Sequence, residues 1–147
     1  MRKLKEEQMK IGEVPISEIH INLKARDNTP KILMGLKHIY CDPELRKEVF
    51  KILEKAIPNN IDRNNGRPGM DLWKIIVLGA IRINNNWEYD KLHDQANNHR
   101  NLRQMLGHGS FDDDYEYQLQ TLKDNVSLLT PKILDEINQC VVNAGHK

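Results

Sequence analysis

Basic and amide side chains are concentrated between residues 91 and 103, and they have the chemistry to bind a nucleic acid. Arginine and lysine neutralise phosphates, while arginine, asparagine and glutamine form hydrogen bonds with the edges of bases. We expect these side chains to form the outer surface of two short helices. The alternative is a plain helical domain whose arginines and asparagines face water. The set comprises Lys91, Gln95, Asn97, Asn98, His99, Arg100, Asn101 and Arg103.

Two further arginines, Arg63 and Arg67, lie in a segment rich in Asn, Gly and Pro, residues 58–70. Such a composition is typical of a surface loop or a hinge. A loop that contacts phosphates is the functional alternative, because backbone contacts position a protein on a duplex. The candidate DNA-binding residues are therefore Arg63, Arg67, Lys91, Asn97, Asn98, His99, Arg100 and Arg103.

Catalytic and metal-binding patterns are not evident in the sequence. The spacing of His93, His99 and His108 matches no common zinc pattern. Asp112, Asp113 and Asp114 are consecutive, whereas a two-metal centre needs carboxylates brought together from separate elements. No Ser-His-Asp arrangement, P-loop or dinucleotide fingerprint stands out. We therefore expect a non-enzymatic chain with no catalytic residue, no metal and no cofactor.

Size and charge give a broad class. A chain of 147 residues suits one domain with a real core. The net charge is +1, but residues 109–147 carry seven acidic against three basic side chains, and residues 1–108 carry the basic excess. This asymmetry is typical of a nucleic-acid-facing half joined to a solvated or partner-facing half. An ordinary solvated surface explains it equally well.

Cysteine usage and hydropathy indicate a soluble, intracellular protein. Cys41 and Cys140 form no CxxC pair, so we expect free thiols in a reducing cytoplasm. The N-terminus lacks the apolar core of a signal peptide. The most apolar run, residues 72–83, is interrupted by Lys74 and Arg82 and is shorter than the ~18 residues of a membrane span.

The elements that must position these side chains are all helical. Residues 1–26 are expected to be a partly extended N-terminal arm: a short helix over 2–11, then an extended arm or edge strand over 14–23. A compact helical domain follows over 27–147. Apolar spacing and capping residues predict helices that begin after residues 27–30 and at Asp42 and Pro43.

The central prediction is a helix-turn-helix-like unit. A helix over 71–84, capped by Asp71, is apolar nearly all round and belongs at the centre of the domain. Short helices follow over 87–97 and 100–107, and Gly107 ends the second. Such an arrangement could place a short helix in the major groove. Tyr115, Leu119, Leu122 and Val126 predict the first helix of a C-terminal hairpin, closed by a second helix that Thr130 caps.

Three long segments of the sequence resemble one protein family. They are GRPGMDLWKI over 66–75, YDKLHDQANNHRNLRQMLG over 89–107 and LQTLKDNVSLLTPKILDEIN over 119–138. They resemble the N-terminal region of ISNCY-type bacterial insertion-sequence transposases, which carry an InsH-like N-terminal transposase domain. The resemblance is strong after Arg67 and weak before Asp27.

The resemblance implies a function in DNA transposition. Proteins of this kind look like DDE transposases, in which a helical N-terminal region binds DNA and supports assembly. A ribonuclease-H-like core with two divalent metals then performs the chemistry. Because this chain ends at Lys147, the resemblance implies the DNA-handling part without the core, and it supplies no catalytic residue. The implied partner is double-stranded DNA, at the terminal inverted repeats in the bacterial nucleoid, with a possible homodimer and no membrane.

Two other functions remain open on the sequence. The chain could be a helical protein-interaction module, in which residues 115–145 dimerise and residues 87–107 touch protein. It could also be a truncated, non-functional transposase fragment. The DNA target, the oligomeric state and a role as repressor of an intact transposase are beyond what the sequence specifies.

Overall fold

The computed structural model describes residues 15–22, 27–57, 70–108 and 115–145. In these ranges the chain forms one 3-10 helix and seven α-helices, and no strand, so the predicted all-α class is confirmed. The 3-10 helix is Ile16–Glu18. The α-helices are α1 Thr29–Cys41, α2 Pro43–Ala56, α3 Leu72–Asn85, α4 Tyr89–Asn98, α5 Arg100–Met105, α6 Leu119–Val126 and α7 Pro131–Gly145.

Aspartate side chains begin two of the helices, as the sequence predicts. The Asp42 carboxylate accepts hydrogen bonds from the backbone N–H groups of Glu44 and Leu45, at 3.1 and 3.2 Å. The Asp71 carboxylate accepts one from the N–H of Lys74, at 2.8 Å. These bonds satisfy N–H groups that have no partner within the first turn of a helix, which fixes where α2 and α3 begin.

Helix α3 is the centre of the molecule. Its residues from Leu72 to Ile81 are buried except Lys74, and α1, α2, α4 and α6 pack against it. Gly79 permits the close approach of the turn after α6, because a Cβ at this position would meet the side chain of Leu129. At the far end Asn86 adopts the left-handed conformation, with φ 54°, and its N–H reaches back to α3, which ends the helix.

The two C-terminal helices pack on different neighbours. The turn at 127–130 joins them, and the Thr130 hydroxyl caps α7 by accepting from the N–H of Ile133, at 3.3 Å. Helix α6 lies against α3 and α4, whereas α7 lies against α2. The prediction that Tyr115 begins the buried stripe of α6 is wrong. The helix begins at Leu119, and Tyr115 is half exposed and stacks on the His108 ring.

The described part of the N-terminal arm belongs to the core. Ile16, Ile19 and Ile21 are buried, and residues 16–18 pack against α1. The edge-strand prediction is not confirmed, because residues 16–18 form a 3-10 helix and no strand is formed over residues 15–22. The predicted helix over 2–11 lies outside the described residues. No helix in the described ranges is both long and apolar enough to cross a membrane.

Candidate nucleic-acid interface

The candidate surface is formed by α4 and α5, and we call it the α4–α5 corner. Residues 86–88 connect α3 to α4, a length that matches the three- or four-residue turn of helix-turn-helix units. The left-handed Asn86 makes this tight connection possible. A single residue, His99, separates α4 from α5. The chain therefore folds a central helix, a tight turn and two short helices in the predicted order.

His99 joins the two short helices through its side chain. His99 is both the C-cap of α4 and the N-cap of α5. At the start of α5 its Nδ1 accepts a hydrogen bond from the N–H of Leu102, at 3.2 Å. Burial lowers the pKa of His99 below its ordinary value of 6.5, against the raising effects of Asp27 and of a backbone hydrogen bond. Protonation would convert the accepting nitrogen into a donor, so the cap requires the neutral ring.

Buried side chains fix the corner onto the core. Leu92 and Ala96 of α4 and Leu102 and Met105 of α5 are fully buried. The buried indole N–H of Trp73, on α3, donates to the carbonyl oxygen of Met105, at 2.7 Å. This bond ties the end of α5 to the central helix and satisfies the polar atom of a buried tryptophan.

Asn97 lies at the end of α4, where both ends of its amide are used internally. Its Oδ1 accepts from the N–H of Tyr117 at 2.7 Å, and its Nδ2 donates to the carbonyl oxygen of Tyr117 at 3.2 Å. The side chain thus pairs with a backbone segment 20 residues further along the chain. Asn97 is an architectural residue that holds residues 115–118 beside α4.

Arg103 reinforces the same junction. One guanidinium nitrogen donates to the carbonyl oxygen of Ala96 at 3.1 Å, and another donates to that of Tyr115 at 2.9 Å. The carbonyl of Ala96 lies in the last turn of α4, where carbonyl groups lack helical partners and a cation is favourable. Arg103 therefore caps α4 while it anchors the chain before α6.

Asn101 does not lie on the outer surface, so that prediction is wrong. It is buried, and its amide binds the arm: Oδ1 accepts from the N–H of Asn22 and Nδ2 donates to the carbonyl of His20, both at 2.9 Å. The helical spacing that places Asn101 beside Arg100 could not reveal a partner 79 residues earlier in the chain. The arm covers this side of α5.

Among the predicted contact residues that lie within the described ranges, three are exposed: Lys91, Asn98 and Arg100. The Lys91 ammonium lies 5.7 Å from the centre of the half-buried Trp87 ring, a weak cation–π contact. Asn98 donates through Nδ2 to the main chain and carboxylate of Asp94, at 2.9 and 3.1 Å. Within the described residues the guanidinium of Arg100 has no hydrogen-bond or ion-pair partner.

The charge of this surface is balanced. Residues 87–103 contain three carboxylates, Glu88, Asp90 and Asp94, and three permanent cations, Lys91, Arg100 and Arg103. All three carboxylates are exposed, whereas the guanidinium of Arg103 is committed to backbone carbonyls. The free positive charge of the corner is therefore confined to Lys91 and Arg100.

The remaining candidate residues lie elsewhere. Arg63, Arg67 and the three aspartates of 112–114 are outside the described residues. In the described part of the chain, no group of three or more His, Cys, Asp or Glu side chains could hold a metal ion. His108 is instead buried, and its Nε2 is hydrogen-bonded to the Tyr117 hydroxyl at 2.6 Å.

The cluster of His108, Tyr115 and Tyr117 has no counterpart in the sequence predictions. The His108 and Tyr115 rings stack at 5.4 Å, and Tyr117 meets both rings edge-on. Of the three residues, only Tyr115 was predicted to lie on a helical stripe, together with Leu119, Leu122 and Val126. The one available signal is that Tyr115 and Tyr117 alternate, which is typical of extended backbone.

Known proteins give this chain no assignment: no protein-family model, curated protein or solved structure matches it.

Proposed function

We propose that this chain is a DNA-binding and assembly module of a DDE-type transposase. Its contact surface is the α4–α5 corner, and its target is the end of the transposable element in the bacterial nucleoid. The observation that supports this proposal is Arg100, an exposed cation with no partner in the described residues, placed on a corner that several hydrogen bonds hold together.

These hydrogen bonds matter because a backbone that is already ordered loses little entropy when its side chains bind a ligand. His99 fixes the junction of the two helices, and Asn97 and Arg103 fix α4 to the segment before α6. Arg100 is therefore presented from a stable base. An arginine in such a position can neutralise a phosphate or bind O6 and N7 of guanine with two hydrogen bonds.

Lys91 and Asn98 complete the proposed contact. The Lys91 ammonium would neutralise a second phosphate. Asn98 uses its Nδ2 on Asp94, so its Oδ1 is the atom that would accept a hydrogen bond from a base amino group. Asn97 and Arg103 would act indirectly, by holding the helices in place, and His99 by joining them.

The proposal predicts a modest dependence on salt. Each phosphate contact contributes about −0.9 to the slope of log K against log salt concentration on duplex DNA. Contacts from Lys91 and Arg100 alone would give a slope of about −1.8. A steeper slope would indicate that further cations, such as Arg63 and Arg67, also reach the backbone.

A second function is favoured by the balanced charge of the corner. Three exposed carboxylates near Lys91 and Arg100 repel phosphates but are compatible with a protein partner. In this alternative the chain is a helical interaction module that dimerises through residues 115–145.

One experiment distinguishes the two functions. Fluorescence anisotropy of a labelled duplex pool with randomised sequence would be measured across a salt series, together with the molecular mass by sedimentation. DNA binding predicts an anisotropy increase that weakens as salt rises. A dimerisation module predicts no anisotropy change and a molecular mass that rises from that of a monomer to that of a dimer as the protein concentration increases. The absence of any anisotropy change would refute the DNA-binding proposal.

A further inference from the structure

A groove of about 380 Å³ lies between α1, α3 and α7, away from the α4–α5 corner. Its floor is apolar and comes from all three helices: Ile32 and Leu36 of α1, Ile76 and Ala80 of α3, and Leu134 and Ile137 of α7. Sites for small molecules have volumes of roughly 300–1,000 Å³ and mostly apolar linings. The groove falls within this range.

The polar rim of the groove has one sign of charge. Lys31 of α1 contributes an ammonium group, His38 an imidazole, and Asn84 and Asn138 contribute amides. None of the described residues that line the groove is acidic. The Lys31 ammonium is exposed and has no partner within the described part of the chain. The lining is therefore complementary to a molecule with an apolar body and an anionic head.

Gly35 keeps the groove open. It lies within α1, where glycine is less favourable than alanine because it loses more backbone entropy on folding. No packing requirement explains it, because a Cβ at this position would have nothing within 4 Å. Gly79 on α3 differs, since there the missing side chain makes room for Leu129. At Gly35 the missing side chain leaves space in the groove wall itself.

We propose that this groove binds a small amphiphile, with its apolar tail on the floor between α1 and α7 and its anionic head at Lys31. None of the groove residues belongs to α4 or α5, so the inference does not depend on DNA binding. The tail would cover the parts of the groove lining that are still accessible to water, at Ile32, Gly35 and Val141. The head would form a charge-assisted hydrogen bond with the ammonium group.

Straight-chain carboxylates from hexanoate to decanoate test the proposal by titration calorimetry, below their micelle concentrations. Each added methylene is expected to tighten binding about fourfold until the groove is filled. The alcohol of the same chain length is expected to bind more weakly. Lys31→Gln should remove this preference for the carboxylate, whereas Lys51→Gln, an exposed lysine of α2 outside the groove, should retain it.

Gly35→Leu is the decisive variant. Its side chain enters open space, so the fold is expected to stay intact, with a melting temperature no lower than that of the wild type. Because the leucine occupies the groove, decanoate binding should be lost. Ala56→Leu is the matched control: it adds a leucine to an exposed site on α2 outside the groove, and binding should remain.

Two outcomes would overturn the proposal. One is no binding of any carboxylate to the wild-type chain, or binding that Gly35→Leu leaves unchanged. The other is a wild-type dimer that Gly35→Leu converts to a monomer, which would show that a second copy covers the groove. Sedimentation of the wild-type chain and of Gly35→Leu, both without carboxylate, measures their molecular masses and identifies this second outcome.

Discussion

The amide of Asn97 and the main chain of Tyr117 form a reciprocal pair of hydrogen bonds, 2.7 Å from the Tyr117 N–H to Oδ1 and 3.2 Å from Nδ2 to the Tyr117 carbonyl. This pair joins the end of α4 to the segment that leads into α6. It also uses one donor and one acceptor site, half of the hydrogen-bonding capacity of a side chain that, in sequence, resembles a base-reading asparagine.

Asn97→Ala should destabilise the fold. The substitution leaves the backbone N–H of Tyr117, a buried residue, without its partner, at a cost of about 1–3 kcal/mol. For a domain of this size the melting temperature should fall by about 3–10 °C. Circular dichroism melts measure the effect. Asn98→Ala is the matched control, because the exposed neighbour should change stability by no more than about 0.5 kcal/mol. Equal effects of the two substitutions would contradict the architectural role of Asn97.

Gly79→Ala and Gly35→Ala should act in opposite directions. At Gly79 the new methyl group meets Leu129, so overpacking should cost about 1–3 kcal/mol. At Gly35 the methyl group meets nothing within 4 Å, so the better helix propensity of alanine should stabilise the chain by about 0.5–1 kcal/mol. Urea denaturation of both variants measures the difference. A neutral Gly79→Ala variant or a destabilised Gly35→Ala variant would contradict this account of the packing.

Stability should depend on the titration of His99. Because burial lowers its folded-state pKa below the unfolded value of about 6.5, the unfolded chain binds this proton first as the pH falls. The contribution of His99 is therefore complete above pH ~6.5 and is lost as the pH falls through the folded pKa. NMR titration of the ring should give a folded pKa below 6.5.

His99→Asn isolates this contribution, because asparagine is a good N-cap and does not titrate. The free energy of unfolding of the variant should depend less on pH than that of the wild type between about pH 5 and 7. Identical pH profiles for the two proteins would show that His99 does not contribute to the pH dependence.

Substitutions of Arg103 and Arg100 should have different effects on stability, because Arg103 has a structural role and Arg100 is proposed to bind DNA. Arg103→Gln removes bonds to the carbonyls of Ala96 and Tyr115, and it should cost about 1–3 kcal/mol of stability. Arg100→Gln should leave stability within about 0.5 kcal/mol of the wild type, since its side chain is exposed. Chemical denaturation compares them. An Arg103→Gln variant as stable as Arg100→Gln would refute the capping role.

Local patterns predicted most of the helices. Asp42 and Asp71 mark helix starts because a side-chain cap depends on neighbours two or three residues away. The apolar stretch from Leu72 to Ile81 predicts a central helix because it is apolar nearly all round. These predictions rest on interactions within one or two turns.

The long-range contacts could not be predicted in the same way. Asn97 and Asn101 look like surface residues by helical spacing, yet their partners are backbone groups of Tyr117, His20 and Asn22. Nothing local distinguishes an asparagine that binds a distant main chain from one that faces water. Among the candidate residues that the structure describes, the proposed direct contacts are accordingly Lys91, Asn98 and Arg100, which are exposed.

The most direct measurement of the central claim is the affinity of the chain for duplex DNA after charge reversal at Arg100, by fluorescence anisotropy over a salt series. Arg100→Glu should fold normally, because a carboxylate in the first turn of α5 is electrostatically favourable. The account predicts that the affinity falls about tenfold or more at low salt. The slope of log K against log salt concentration should become less negative by about 1. Lys132→Glu, an exposed reversal on α7, should bind like the wild type. An Arg100→Glu variant that is folded and binds the duplex with wild-type affinity and salt slope would contradict the account.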